Sequence, residues 1–140
     1  MRRLRVLFVC MGNRARSQMA EGWLRHLAGD RFEAFSAGTA PKGLARETVA
    51  VMREVGVDVS SHRSKSTLEF GDQDFEYLIT LGEVARDARP GAARVVHEQH
   101  WNVTDPAELQ RQGIADIEAF RAVRDEVRSW IEAFVKRSGS

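Results

Sequence analysis

Short apolar runs recur along this chain and alternate with segments patterned for helix, and that alternation restricts the available folds more than any other feature. Leu4 to Cys10 (LRVLFVC) is mostly apolar and rich in Val and Leu, as expected of a strand buried on both faces. From Ser17 the spacing turns helical, with Met19, Trp23 and Leu27 on one face, and Gly29 and Asp30 end the segment. Phe32 to Ala37 reads as a second strand stopping at Gly38. Leu44 to Val55 reads as a helix that buries Leu44, Val51, Met52 and Val55, with Gly56 as its left-handed cap. Tyr77 to Leu81 (YLITL) and Ala93 to Val96 (ARVV) read as further strands, with a short helix-length segment between them. Ile114, Ile117, Phe120, Val123, Val127, Trp130, Ile131 and Phe134 recur at spacings of three and four, the mark of a long amphipathic helix. Its outer face offers the pairs Arg121–Asp125 and Asp125–Arg128. Strands alternating with helices imply βαβ units, hence an α/β fold with a parallel sheet and helices on both faces.

A chain of 140 residues fits one domain over 1–140, large enough to bury roughly two-thirds of the surface of its unfolded form. With 21 Lys plus Arg against 20 Asp plus Glu, the net charge of +1 provides no field that would draw nucleic acid or an anionic membrane. A small anion remains open as a ligand. Leu4 to Val9 is too short to span a bilayer and is not followed by a secretory cleavage pattern, so the expected location is cytoplasmic. The single cysteine, Cys10, cannot form an intramolecular disulfide. Any redox role must recruit a thiol from another molecule.

In open parallel sheets ligands bind beyond the carboxyl ends of the strands, and Cys10 through Ser17 occupies that position after the first strand. Alone, Cys10 would read as a small hydrophobe finishing a core strand. Its neighbours reverse that reading. Gly12 permits a tight backbone path, Asn13 tolerates left-handed dihedrals, and chance places Arg at +6 followed by Ser or Thr only about once in a hundred. The backbone amides of Met11, Gly12, Asn13, Arg14, Ala15 and Arg16, wrapped ahead of a helix, can converge on one centre, with the helix dipole adding positive potential. Such a loop cradles a tetrahedral oxyanion. Arg16 adds two parallel donors that a lysine could not reproduce. The Ser17 hydroxyl can donate to the Cys10 sulfur and favour the thiolate, which makes Cys10 a nucleophile. Arg14 points outward, either to attract an anionic thiol or substrate group or simply as a solvated charge.

Other polar groups carry less. His97 and His100 lie three apart with no third ligand at a useful spacing, so no metal is expected. Ser60, Ser61, Ser64 and Ser66 around His62 form no defensible triad and read as a polar loop.

Cys-x5-Arg-Ser after a first strand is the signature of the low-molecular-weight protein tyrosine phosphatase fold, and C10-MGNRA-R16-S17 also resembles the arsenate reductases built on it. SQMAEGW (17–23), FSAGTAPKGL (35–44), VMREVGVDVSSHRSK (51–65), EQHW (98–101) and DPAE (105–108) look like the reductase branch, so the resemblance covers nearly the whole chain. It implies a three-layer fold with a four-stranded parallel sheet flanked by helices, and Asp105 as the general acid that protonates the leaving oxygen. From the residues alone, Asp105, Pro106 and Glu108 read as an N-cap, a first-turn proline and a capping-box partner.

The chain departs from its relatives in three respects. Thioredoxin-coupled reductases of this kind carry further cysteines in the loop and near the end of the third strand, where this chain has Ala15, Gly82 and Arg89. No cofactor is then expected to be bound. Reduction would draw on an external thiol such as glutathione, mycothiol or bacillithiol, with a glutaredoxin-like partner. Phosphotyrosine-specific relatives usually follow the Asp-Pro with tyrosines, whereas this chain has Ala107 and Glu108, which leaves Trp101 as a source of aromatic selectivity. Some reductases hold potassium near groups matching Asn13, Glu21 and Ser36. Here Lys65 stands where an acidic ligand is expected, and its ammonium is expected to replace the ion. The leading expectation is an arsenate reductase using an external low-molecular-weight thiol. The alternative is a low-molecular-weight phosphatase acting on phosphomonoesters through phosphocysteine, and a third reading is a non-catalytic oxyanion sensor.

Overall fold

A computed structural model describes residues 2–82, 91 and 94–138. Strand β1 (Leu4–Cys10) leads into helix α1 (Arg16–Ala28), strand β2 (Phe32–Gly38) and helix α2 (Arg46–Glu54). A 3₁₀ turn at Thr67–Phe70 precedes β3 (Phe75–Leu81) and β4 (Val95–Trp101), and the chain closes with α3 (Pro106–Arg111) and α4 (Asp116–Ser138). The strands form one four-stranded parallel sheet in the order β2-β1-β3-β4. The helix-length segment expected between the last two strands falls outside the described residues.

The burial of β1 on both faces follows from its sequence. Val6, Phe8 and Cys10 point to the side covered by α1, α2 and α4, where Met19, Trp23, Val51, Met52, Val123, Val127, Ile131 and Phe134 complete the core. Leu7 and Val9 point the other way, into a smaller cluster with Ala37, Phe70, Phe75 and Leu78. Leu27, expected on the inner face of α1, is instead 37% exposed near the end of the helix. Gly56 does cap α2, with φ +80 and a Schellman pair: Gly56 N–H donates to the Arg53 carbonyl at 3.0 Å and Val57 N–H to the Met52 carbonyl at 3.0 Å.

Two expectations change. The fourth strand runs over Val95–Trp101, not 93–96, because an edge strand with a single neighbour tolerates His97, Glu98, Gln99 and His100, which no hydropathy pattern marks. The ion pairs of α4 are also not those expected along the helix. Arg121 and Arg124 both reach across to Glu54 of α2, at 2.6 and 2.7 Å, Asp125 binds Arg124, and Arg128 takes Glu132. Hydrogen bonds, first from Arg121, hold the Glu54 carboxyl down at about 2.

From β1 the chain turns to β2 on one side and later crosses to β3 on the other. The loops after β1 and β3 therefore diverge at the carboxyl edge, which is where this topology leaves a crevice.

Candidate active site

The loop from Cys10 to Arg16 sits in that crevice, and its orientation follows from where its carbonyl groups go. The carbonyls of Cys10, Met11 and Gly12 accept from the amides of Thr39, Ala40 and Lys42 at 3.3, 2.8 and 2.9 Å. The Arg14 carbonyl accepts from Ala45 N–H and the Thr48 hydroxyl, that of Ala15 from Met19 N–H, and that of Asn13 from the Gln18 side chain. With every carbonyl of the loop turned outward and bonded, the amides of Met11 to Ala15 are left facing the hollow, and none has a partner among the described residues. Helix α1 begins immediately after, with no side-chain cap and no acidic residue in its first turn, so its terminal amides add to the same positive potential. Asn13 makes the turn at φ +45, a conformation it tolerates better than most residues. Gly38 allows β2 to press against the loop: a Cβ there would lie 2.6 Å from the Met11 carbonyl oxygen.

Hydrogen-bond direction around the sulfur can be worked out residue by residue. The Lys65 backbone N–H donates to Asn13 Oδ1 at 2.9 Å, which fixes the Asn13 amide. Its Nδ2 then donates to Ser17 Oγ at 2.8 Å and to Ser36 Oγ at 3.0 Å. Ser17 Oγ lies 2.8 Å from Cys10 Sγ, and because a thiolate can only accept, the Ser17 hydroxyl is the donor whenever Cys10 is ionised. Behind this, Gln18 donates to Asn13 Oδ1 and accepts from His62 Nδ1, while His62 Nε2 accepts from the Arg25 guanidinium at 2.9 Å. An arginine can only donate, so His62 is the neutral Nδ1–H tautomer. Burial lowers its pKa, with Glu21 opposing.

Arg16 is buried at the back of the hollow, where it donates to the Val103 carbonyl at 3.3 Å and lies 3.5 Å from Asp105 Oδ2. Gly82, at φ +87 after β3, allows this placement: a Cβ on Gly82 would meet Arg16 Nη1 at 2.1 Å. Asp105 caps α3 through Oδ1, which accepts from Ala107 N–H at 3.0 Å, and its Oδ2 turns toward Arg16. Half of this side chain is exposed. Glu108 does not complete a capping box, because its carboxylate is taken by Arg111. The hollow has a volume of about 410 Å³ and is lined by Cys10, Met11, Gly12, Arg14, Ala15, Arg16, Lys42, Asp105, Pro106 and Ala107.

The structure therefore brings together Cys10, Arg16, Ser17, Asp105 and the loop amides, with the Arg14 side chain outward and exposed as expected. Trp101 lies elsewhere. It is buried, stacked on Trp130 at 5.3 Å, and no aromatic ring lines the hollow among the described residues. His97 and His100 point to opposite faces of β4, one stacked on Tyr77 and the other bonded to Thr80. Among the described residues no group of three His, Cys, Asp or Glu side chains converges as a metal site requires.

Asn13, Glu21 and Ser36 do meet, but as a closed set. The Ser36 hydroxyl donates to Glu21 Oε1 at 2.6 Å, Arg25 occupies Oε2 at 2.6 Å, and Asn13 Oδ1 is taken by two N–H donors. Each of these oxygens already accepts a hydrogen bond, and an arginine guanidinium stands where a cation beside Glu21 would sit. The cation that neutralises Glu21 is Arg25, since the Lys65 ammonium donates to the Arg63 carbonyl at 3.1 Å and faces Glu21 from farther off. Burial lowers the pKa of Lys65, and Glu21 opposes the shift.

Lys42, Gly82 and the Val103 carbonyl escape a reading of the sequence because each reaches the hollow through the fold and not through the loop motif. A lysine four residues after a strand-ending glycine carries no periodic signal.

The model of the low molecular weight phosphotyrosine protein phosphatase family matches residues 5–138. An arsenate reductase of Halalkalibacterium halodurans is 34% identical over 131 residues, covering 94% of each chain. A solved arsenate reductase in the reduced state superposes with a TM-score of 0.80 at 29% identity, covering 97% of this chain and 99% of the other. One in a phosphate-binding state gives 0.75 at 27% identity, covering 96% and 98%. The chain belongs to the low molecular weight phosphotyrosine protein phosphatase family, and within that family it is similar to arsenate reductases.

Proposed function

We propose that this chain, acting as a single unit over 1–140 in a reducing cytoplasmic setting, is an arsenate reductase that draws its second thiol from outside. The observation that carries the reading is the pairing of one directed sulfur, Cys10 Sγ beside the Ser17 hydroxyl, with a loop whose carbonyls are all turned away from the hollow. Arsenate sits on the amides of Met11 to Arg16 and on the Arg16 guanidinium, which stabilises the charge that builds on its oxygens. The Cys10 thiolate attacks arsenic, a sulfur–arsenic bond forms, and an arsenate oxygen leaves as water with a proton from Asp105. A thiolate RS⁻ then attacks Cys10 Sγ. The sulfur–sulfur bond forms as the sulfur–arsenic bond breaks, the bonding pair stays on arsenic, and As(V) becomes As(III) while two sulfurs are each oxidised by one electron. Protonation releases arsenite, and a second thiol or a glutaredoxin-like protein reopens the mixed disulfide. Because the chain has one cysteine, no internal disulfide can replace the external thiol.

The hydrolytic alternative shares the chemistry up to the covalent adduct, with phosphorus in place of arsenic and water resolving phosphocysteine. The absence of an aromatic ring among the described lining residues argues against a tyrosyl leaving group. A pure oxyanion sensor would need neither Cys10 nor Asp105. Incubating the protein with arsenate, glutathione, mycothiol or bacillithiol, and glutaredoxin, with Cys10→Ser as control, tests the reading by arsenic speciation. Thiol-dependent arsenite that disappears in the variant supports it. Absence of arsenite with every thiol, alongside Cys10-dependent hydrolysis of an aryl phosphate, overturns it in favour of the phosphatase.

A further inference from the structure

The side chains of two cations among the residues lining the hollow are not used by the proposed chemistry at arsenic. Arg14 and Lys42 both line it, and neither side chain has a hydrogen-bond or ion-pair partner among the described residues. Several other arginines, Arg25, Arg63, Arg111, Arg121, Arg124 and Arg128, each hold a carboxylate, so what marks Arg14 and Lys42 is that they are unpaired and line the hollow together. The two stems also start close together. An ideal Cβ on Gly12 would lie 3.6 Å from Arg14 Cγ and 3.8 Å from Lys42 Cβ, so both side chains rise beside the same loop residue. Their backbones are tied to the cradle as well, Lys42 N–H to the Gly12 carbonyl and the Arg14 carbonyl to Ala45 N–H. A cavity of about 410 Å³ holds much more than a four-oxygen anion, and Arg14 and Lys42 are among the residues lining it.

We infer that Arg14 and Lys42 form a carboxylate subsite for the reductant, selecting a thiol that carries free carboxylates, of the glutathione or bacillithiol type, over one that carries none, such as mycothiol. The inference rests on the reductase reading, because a hydrolase needs only water at this point of the cycle. The subsite orients RS⁻ toward Cys10 Sγ and raises its local concentration. It takes no part in bond making. Two partly solvated ion pairs correspond to about a tenfold preference, screened by salt.

The test compares glutathione with its diethyl ester, which keeps the ammonium and lacks both carboxylates. In arsenate reduction by the whole protein, kcat/KM should favour glutathione about tenfold at low ionic strength. The ratio should fall toward one in Lys42→Gln and in Arg14→Gln, and also in the unaltered protein at high salt, a readout that needs no variant. Equal use of the two thiols by the unaltered protein at low salt, or a ratio insensitive to both substitutions and to salt, overturns the subsite. A second measurement separates this failure from failure of the reductase reading: exchange of Cys10 with oxidised glutathione against its tetraethyl ester, followed by intact mass without arsenate. Charge-selective exchange with no arsenite under any condition would leave the subsite standing and remove the reductase. Arsenite formation without charge selectivity would do the reverse.

Discussion

Gly82→Ala isolates the contact between the end of β3 and Arg16. Gly82 holds φ +87 and Gly113 holds φ +92, so alanine at either position incurs similar backbone strain, about 1–3 kcal/mol. In a 140-residue chain that lowers Tm by roughly 3–10 °C for both variants. The surroundings differ completely. A Cβ at Gly113 meets nothing within 4 Å, whereas at Gly82 it would lie 2.1 Å from Arg16 Nη1. Carbon and nitrogen do not pack closer than about 3.4 Å, so the guanidinium must move by more than about 1 Å, enough to misalign its paired donors. Charge-assisted hydrogen bonds are worth about 1.5–3 kcal/mol each, and loss of one of them weakens oxyanion binding about 10- to 100-fold. Scanning fluorimetry gives the Tm values, and calorimetric titration with inorganic phosphate gives the affinities. The expected pattern is similar destabilisation in both variants with weakened phosphate binding in Gly82→Ala alone. Phosphate binding in Gly82→Ala equal to that of the unaltered protein would refute the assignment of Arg16 as the clamp that Gly82 makes room for.

Ser17→Ala removes the hydrogen directed at Cys10 Sγ and should slow alkylation of Cys10 by iodoacetamide at pH 7 about tenfold, measured by intact mass, with an unchanged rate counting against the bond. His62 is held neutral by burial, so below its ordinary value of 6.5 the unfolded chain binds a proton that the folded chain resists. Its contribution to stability is therefore constant above pH 6.5 and falls as the pH drops below it. His62→Asn keeps an amide donor near Gln18 without titrating, and its Tm should fall less between pH 7 and 5 than that of the unaltered protein. Titration with potassium chloride against sodium chloride at matched ionic strength should shift neither Tm nor activity, because Arg25 already neutralises Glu21. A potassium-specific rise in either would show an ion entering that cluster.

The sequence was most informative where local pattern and burial coincide. The both-faces burial of LRVLFVC, the Gly56 cap and the α4 stripe are each fixed by residues within a few positions of one another: β1 keeps the expected ends, Gly56 caps a helix that starts two residues later than expected, and α4 runs four residues beyond the last apolar residue of its stripe. The fourth strand shows the limit. At the edge of the sheet only one side of the strand pairs, and the polar HEQH run fits there as well as in a loop. The candidate site divides similarly. Cys10, Arg16 and Ser17 are legible because one tight loop sets their spacing. Asp105 was reachable only through family resemblance, since one carboxylate among 20 becomes distinctive only when the fold brings it 3.5 Å from Arg16.

Gly82 links the single cysteine of this chain to the geometry of its anion site. The glycine is part of the Arg16 site. Its positive φ and missing side chain let the guanidinium lie against the backbone at the end of β3, so any side chain at that position competes with the oxyanion clamp for the same space. Introducing cysteine at 82 would therefore place a Cβ against Arg16 Nη1 and disturb the clamp before its sulfur could act. If the second thiol comes from outside, as proposed, Arg14 and Lys42 are the cations it meets among the residues lining the hollow, and their charges would then take part in selecting the reductant.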